Sequence, residues 1–425
     1  MESKEFSRVG ETVYTATLPN ALSLRVCPRK DFARSFALLA VHYGGAMRRF
    51  SLSGRDIDTP AGVAHFLEHK MFDMPDGNAL NQLSAAGASA NAFTSSGMTG
   101  YYFESAQSFS ENLRLLLRFV TTPYFSDESV QKEQGIIGQE VRMTEDNPAF
   151  TVYSDLMRCL YAKHPIRDNV VGTLESIGRI TPQILQDCHK AFYVPANMAL
   201  CVAGPVTAEE VLAVAMELLP GERQPLPQPD YGSGESPAPV SALHRRTMAV
   251  SAPQFILGSK VSPAEDGLPL LRQKLVAALS LRCLAGRSSP FYTELYAEGL
   301  LRNDFSCETD HSAHTATILM GGESRSPETV LERLVAAVER LSRSGFQDGS
   351  VERARRAEYG SRLRALDSFS SVCCDLAEGA FSGYLPQDAF ELLWSITDEE
   401  CADFLTRYLS PDALALSVIE PPKGQ

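Results

Sequence analysis

A proline-rich segment near the middle of the chain constrains the fold more than any other feature. Residues 225–240 read PLPQPDYGSGESPAPV, with five prolines, two glycines and no hydrophobic periodicity. Because proline fixes φ and lacks a backbone donor, such a segment cannot continue a helix or a central strand. The 425 residues therefore divide into an N-terminal domain, 1–224, a linker, 225–240, and a C-terminal domain, 241–425.

Both domains combine strands with amphipathic helices, which predicts the α+β class. The predicted strands are 21–28, 35–43, 100–105, 198–203, 254–261 and 315–320. The predicted helices are 62–71, 110–120, 127–143, one beginning near Ala208, 268–285, 327–342 and 351–366. Residues 85–97, AAGASANAFTSSG, have small side chains that favour a loop. The segment PDALALSVIEP near the C-terminus repeats the pattern of PANMALCVAGP at 195–205, which indicates a duplicated unit.

Composition excludes several classes of function. The net charge is −13 and no run of Lys and Arg occurs, so we expect neither nucleic acid nor an anionic membrane surface as a partner. No apolar run reaches the ~18 residues that a membrane helix needs. The N-terminus lacks the apolar core of a signal peptide, and the nine cysteines include no CxxC pair, so we expect a cytoplasmic protein with reduced thiols.

One short motif carries metal chemistry. In AHFLEHKMF, His65, Glu68 and His69 lie at positions i, i+3 and i+4, which share one face of a helix. Two neutral imidazoles on one face can bind a zinc ion, which lowers the pKa of a bound water, and Glu68 can accept that proton. A catalytic zinc needs a third protein ligand. Glu133 and Glu140 lie seven residues apart on helix 127–143 and share a face, so one can bind the metal while the other supports a ligand.

Longer stretches resemble a known family. HFLEH, SANAFTSSGMTGYYF and EQGIIGQE resemble the pitrilysin/insulinase family of inverzincin (HxxEH) metallopeptidases, and DNPAF and HPIR…VGTLESI are similar to its bacterial YfmH-type subgroup. The resemblance implies one Zn²⁺ per chain, with Glu140 as the third ligand beside His65 and His69. It implies that Glu133 supports a ligand and belongs to the catalytic centre with Glu68. It also implies an edge strand that binds the peptide backbone through Asn91, Ala92, Phe93 and Thr94.

The resemblance further implies the architecture and the reaction. Two homologous α/β-sandwich domains, the second without a metal site, would form half of a clamshell, as in the mitochondrial-processing-peptidase-like fold. The implied activity is that of a zinc metalloendopeptidase that hydrolyses peptides or unfolded segments in a closed chamber.

One departure from the family concerns partners. Members that complete the site carry an Arg and a Tyr seven residues apart in a C-terminal domain. Here SSPFYTELYAEGLLRNDFSCE has Tyr296 where Arg is expected, and Leu301 and Arg302 near the Tyr position. We therefore expect a heterodimer with a zinc-less homologous subunit that supplies the pair, with a homodimer as the alternative. A different class of function stays open: a non-proteolytic or processing subunit of such a heterodimer, which assists protein modification or leader-peptide removal.

Overall fold

A computed structural model describes residues 1–219 and 221–422. The strands, in chain order, are β1 (Glu2–Phe6), β2 (Glu11–Thr17), β3 (Ser23–Pro28), β4 (Ser35–Val41), β5 (Arg49–Leu52), β6 (Arg55–Asp58), β7 (Asp73–Met74), β8 (Gly77–Asn78), β9 (Ala88–Thr94), β10 (Thr99–Ser105), β11 (Met198–Gly204), β12 (Gln228–Pro229), β13 (Leu243–Thr247), β14 (Gln254–Val261), β15 (Ser306–Ser312), β16 (Thr315–Glu323) and β17 (Ala415–Glu420). The α-helices are α1 (Val63–Met71), α2 (Ala79–Ala85), α3 (Phe109–Thr121), α4 (Asp127–Glu145), α5 (Pro148–Leu160), α6 (Leu174–Ile177), α7 (Pro182–Phe192), α8 (Ala208–Leu218), α9 (Leu268–Ala285), α10 (Pro290–Ala297), α11 (Pro327–Ser344), α12 (Ser350–Ala365), α13 (Phe369–Ser382), α14 (Ala389–Leu392) and α15 (Asp398–Tyr408). The predicted α+β class is confirmed.

The chain forms two compact units, each with its own sheet. Unit 1 contains Met1–Val141, Asn169–Tyr231 and Leu363–Gln387, and unit 2 contains Arg142–Asp168, Gly232–Arg362 and Asp388–Gln425. The change from Tyr231 to Gly232 lies inside the proline-rich linker, but each unit also takes a helical segment from the other side of that linker. The domain limits 1–224 and 241–425 refer to the two copies of the duplicated sequence, and they stay a prediction.

The sheet of unit 1 has seven strands in the order β1-β2-β3-β11-β4-β10-β9. Strand β4, the fifth in this order, reads SFALLAV and is buried along its whole length. Side chains alternate between the faces of a strand, so Ala37, Leu39 and Val41 pack into one core while Phe36 and Leu38 pack into another. An apolar run without polar alternation is typical of a strand that is covered on both faces.

Helix α13 covers the second of these faces. Its residues Val372, Leu376 and Ala377 share a core with Phe36 and Leu38. The first face is covered by helices α1, α3, α7 and α8, whose buried side chains belong to the larger core. Unit 1 is therefore a sheet between two helical layers, and one of these layers comes from the C-terminal half of the chain.

Unit 2 has a five-stranded sheet in the order β13-β17-β14-β16-β15. Helix α5 packs on this sheet, where Leu156 and Leu160 share a core with Leu319 and Ala415. The apolar run of β14 and the helix α9 have the bounds that the sequence predicts.

The small-residue segment 85–97 forms more structure than its composition indicates. Residues Ala88–Thr94 form β9, which pairs with β10 from Ala88↔Ser105 to Thr94↔Thr99. The loop predicted from composition is therefore wrong over this range, because strand pairing is made by the backbone and does not require bulky side chains. Strand β9 is the last in the order of its sheet, as the family resemblance implies.

None of the helices in the described parts of the chain is long and apolar enough to cross a membrane.

Candidate metal centre

Helix α1 presents the HFLEH motif. It begins after Gly62, whose φ is 92° and whose backbone lies so close to Val171 that an added Cβ would be 2.7 Å from the Val171 carbonyl oxygen. Glycine is required at such a left-handed, crowded position. Phe66 and Leu67 are fully buried and anchor the helix in the core of unit 1. The two histidines occupy the partly exposed side of the same helix.

Three ligand atoms converge on this side of α1. One atom each from His65, His69 and Glu140 lies within 4.8 Å of the others, and this is the one such group among the described residues. Oε2 of Glu140 is 3.5 Å from Nε2 of His65 and 3.7 Å from Nε2 of His69. The motif predicts His65 and His69 as metal ligands and the family resemblance implies Glu140, and the structure brings the three together.

Glu133 takes a different place. Its Oε1 lies 3.0 Å from Nδ1 of His69, whereas Glu140 lies near Nε2, the other nitrogen of the same ring. A carboxylate at this position accepts a hydrogen bond from Nδ1–H, which leaves Nε2 with its lone pair facing Glu140. The two glutamates of α4 therefore separate into one that faces both histidines and one that orients a single histidine.

Burial and neighbouring charges shift the pKa values of the two histidines in opposite directions. Burial, reinforced by His69, lowers the pKa of His65 to about 3, so the ring is neutral near pH 7. Burial also lowers the pKa of His69, but the hydrogen bond with Glu133 and the charges of Glu140 and Glu68 outweigh it and raise that pKa. Neutral imidazole is the form that binds a metal ion, and the carboxylates supply the compensating negative charge.

Glu68 is buried beside this group, with an exposed fraction of 8%. Burial raises its pKa, and the hydrogen bond from Thr94 partly opposes that shift. The Oγ1 of Thr94 lies 2.5 Å from Oε2 of Glu68. The sequence predicts Glu68 at the centre, whereas the resemblance assigns Thr94 only a role in substrate binding, and the contact between the two side chains is not visible in the motif.

The residues present fit a zinc ion. Two imidazoles and one carboxylate are a donor set of catalytic zinc sites that keep a position open. His65 retains a buried Nδ1 without a hydrogen-bond partner among the described residues, so no protein donor or acceptor fixes its ring in another orientation.

The other predicted residues lie on β9 and, in unit 2, on α10 and the segment that follows it. Asn91, Ala92 and Phe93 belong to β9, and the Asn91 side chain accepts a hydrogen bond from the Ala92 amide at 2.9 Å. In unit 2, Tyr296 is about half exposed at the end of α10 and stacks on Tyr292. Leu301 is buried, and Arg302 forms an ion pair with Glu323 at 2.6 Å.

Comparisons with known proteins show which family the chain resembles. A family model of the insulinase peptidases (peptidase family M16) matches residues 53–174, and a model of the M16 inactive domain matches residues 179–358. The uncharacterized zinc protease YmfH of Bacillus subtilis strain 168 is 33% identical over 98% of this chain and 98% of its own length. A probable mitochondrial-processing peptidase subunit beta of Arabidopsis thaliana is 26% identical over 60% of this chain and 44% of its own length.

A solved structure shows the same architecture. The crystal structure of an M16-like peptidase from Alicyclobacillus acidocaldarius has a TM-score of 0.92 and 31% sequence identity, and the match covers 97% of this chain and 98% of that one. The similarity to YmfH supports the bacterial subgroup that the resemblance indicates, and its correct name is the YmfH type. The identity across nearly the whole chain and the two family models together show that the chain belongs to the insulinase family of peptidases, peptidase family M16.

Proposed function

We propose that this chain is a zinc-dependent metalloendopeptidase that hydrolyses peptides or unfolded segments. The observation that carries the proposal is the convergence of His65, His69 and Glu140 beside the buried carboxyl of Glu68. The zinc-protease names of the relatives support the metal and the class of reaction.

The residues divide the work as follows. His65, His69 and Glu140 would hold one zinc ion per chain, and zinc in such a site polarises a carbonyl and makes water a stronger acid. Glu68 acts as the general base that takes the proton from the attacking water, and it returns the proton to the leaving amine. A base with a raised pKa is suited to both steps, since it is able to hold the proton between them. Glu133 holds the ring of His69 in place through Nδ1.

Strand β9 is the proposed binding surface for the peptide backbone. It ends the order of the unit 1 sheet, so one of its sides is free of a partner strand within that sheet. An extended peptide that adds to this edge, at Asn91, Ala92, Phe93 and Thr94, would gain backbone hydrogen bonds that depend little on its sequence. The Ala92 amide, now bonded to the Asn91 side chain, is a donor that such a peptide would use.

A heterodimer is the proposed assembly, with a homodimer as the alternative. Tyr296 and Arg302 do not form the Arg–Tyr pair expected of a complete site, and Arg302 is engaged by Glu323. A relative named as a peptidase subunit supports a partner of the same family that supplies the pair. All nine cysteines are free thiols, which supports a reducing compartment such as the cytoplasm.

The lack of an Arg–Tyr pair at Tyr296 and Arg302 also favours a second candidate function. A subunit that lacks these residues could assist protein modification or remove leader peptides within the heterodimer, and its peptidase activity would then be narrow or absent.

A peptide library of mixed, unstructured sequences tests the proposal. Zinc-loaded protein, alone or together with a zinc-less homologue that supplies the Arg–Tyr pair, is expected to cleave it, and a chelator is expected to stop the cleavage. Glu68→Gln should abolish turnover while one zinc per chain stays bound, because the amide cannot take a proton. Glu128→Gln, at an exposed position in the first turn of α4, is the matched control and should keep full activity. Substantial turnover by Glu68→Gln would exclude Glu68 as the base. Bound zinc without cleavage, alone or with a zinc-less homologue, would favour the second candidate.

A further inference from the structure

The last residue of β9 links the proposed substrate strand to the proposed base. Thr94 is partly buried, and its Oγ1 lies 2.5 Å from Oε2 of Glu68. Across the strand pair, Thr94 faces Thr99 of β10, and the two Oγ1 atoms are 3.3 Å apart. A side chain of the strand thus contacts the carboxylate directly.

The neighbouring groups determine which atom donates. Thr99 is fully buried and its hydroxyl donates to the carbonyl oxygen of Tyr43 at 2.8 Å, which uses its one proton. An ionised carboxylate only accepts. The Thr94 hydroxyl therefore donates to Glu68, and the Oγ1 of Thr99 remains as an alternative acceptor for the same proton.

This arrangement leaves the two carboxylate oxygens of Glu68 in different situations. Oε2 is occupied by the Thr94 hydroxyl, whereas Oε1 accepts no hydrogen bond from the residues that the structure describes. A donor to one oxygen restricts rotation of the carboxylate about its last torsion, which is otherwise broad. The free oxygen is then held in one direction, and a base acts only when it is held within hydrogen-bond reach of the proton that it takes.

We propose that Thr94 is a positioning residue that holds the Glu68 carboxylate in its working orientation through the hydroxyl at the end of β9. The inference rests on the proposed function, and it adds that one strand both receives the peptide backbone and aligns the base. A hydroxyl suits this role because it donates equally to a carboxylate oxygen and to the carbonyl oxygen of a carboxylic acid. The proton that Glu68 takes resides on Oε1, so Oε2 continues to accept from Thr94 and the contact survives the transfer.

The alternative is that Thr94 is present only because β-branched side chains favour strands. Valine has the same branched shape and lacks the hydroxyl, whereas serine keeps the hydroxyl and lacks the methyl group. The two substitutions therefore separate hydrogen bonding from strand propensity.

The test measures peptide hydrolysis by the zinc-loaded protein and three variants. Thr94→Val is expected to lower kcat by about 10- to 100-fold, the change that corresponds to one hydrogen bond to a charged group, with KM changed less than about threefold. Thr94→Ser is expected to recover kcat to within about threefold of the wild type. Thr15→Val, which removes the hydroxyl of a partly buried threonine of β2 near the opposite edge of the same sheet, is the control and should match the wild type.

A second measurement does not depend on activity. In crystal structures of the zinc-loaded wild type and Thr94→Val, the Glu68 carboxylate is expected to change orientation or lose definition in the variant while the ligands keep theirs. An unchanged carboxylate, or an unchanged kcat in Thr94→Val, would overturn the inference. A raised KM with unchanged kcat would also overturn it, since Thr94 would then act on substrate binding alone.

The two proposals fail in distinguishable ways. If the wild type cleaves no peptide either alone or with a zinc-less homologue, and Glu68→Gln behaves identically, the proposed function fails, and the orientation of the carboxylate in Thr94→Val still decides the role of Thr94. If Glu68→Gln is inactive but Thr94→Val is fully active, the proposed function stands and the positioning role is excluded.

Discussion

Arg25 offers the sharpest test of how helix α13 is attached to unit 1. Its side chain is 8% exposed, and burial lowers its pKa. The guanidinium donates to the carbonyl oxygens of Leu376 at 3.1 Å, Gly379 at 3.0 Å and Tyr384 at 2.7 Å. The three carbonyls lie in the middle of α13, in its last turn and just beyond its C-terminal end, which carries partial negative charge.

The expected cost of Arg25→Met follows from these contacts. Three hydrogen bonds to a charged donor, at ~1.5–3 kcal/mol each, are offset by the several kcal/mol that it costs to bury the guanidinium. Methionine keeps most of the apolar stem, so the packing loss is small. We expect the free energy that holds α13 on the sheet to fall by about 2–4 kcal/mol.

Hydrogen exchange measures this locally. A loss of about 2–4 kcal/mol corresponds to roughly 30- to 700-fold faster exchange of the α13 backbone amides, because α13 opens more often. Arg55→Met, at an exposed position of β6, is the control and should leave α13 unchanged. If exchange of α13 in Arg25→Met stayed within about threefold of the wild type, the guanidinium would not anchor the helix.

Two further predictions concern His69, through its partner Glu133, and His189. Glu133→Gln should weaken zinc binding by about 10- to 100-fold in a chelator titration while the fold persists, because it removes the charge that orients His69. An unchanged zinc affinity would show that Glu133 does not support the metal centre. Burial lowers the pKa of His189 to about 4, below its ordinary value of 6.5. The folded state therefore binds fewer protons than the unfolded state between these values, and stability falls as the pH drops from about 6.5 to 4. In urea unfolding across this range, His189→Gln should lack roughly 3 kcal/mol of that loss, and parallel curves for both proteins would refute the assignment.

The proposed zinc ligands on α1 could be predicted because their geometry is local. His65 and His69 lie one helical turn apart, so their spacing alone places both rings on one side of the helix. Choosing Glu140 over Glu133 needed the family resemblance, since both share a face of α4. Their separation into one that faces both histidines and one that faces a single ring appears only when α4 is placed against α1.

Contacts between distant segments could not be predicted in this way. Thr94 and Glu68 are 26 positions apart, and nothing in either segment encodes a hydroxyl that meets that carboxylate. The exchange of α5 and α13 between the two units was equally invisible, because the hydrophobic pattern of a helix shows that it has a buried face and not which sheet that face covers. Arg25 in the apolar strand β3 was the one sign of a distant partner.

That exchange has a consequence for biosynthesis. When a ribosome has made the first part of unit 1 as far as Tyr231, the sheet face that carries Phe36 and Leu38 still waits for a helix that ends at Ser382. At about 5–20 residues per second, the missing segment arrives roughly 8–30 s later. The nascent chain thus exposes an apolar face of the sheet to solvent for that interval. In a fragment that ends at the linker, this face would stay uncovered. We therefore expect unit 1, which carries the proposed metal centre, to complete its folding late in translation and to depend on chaperones until then.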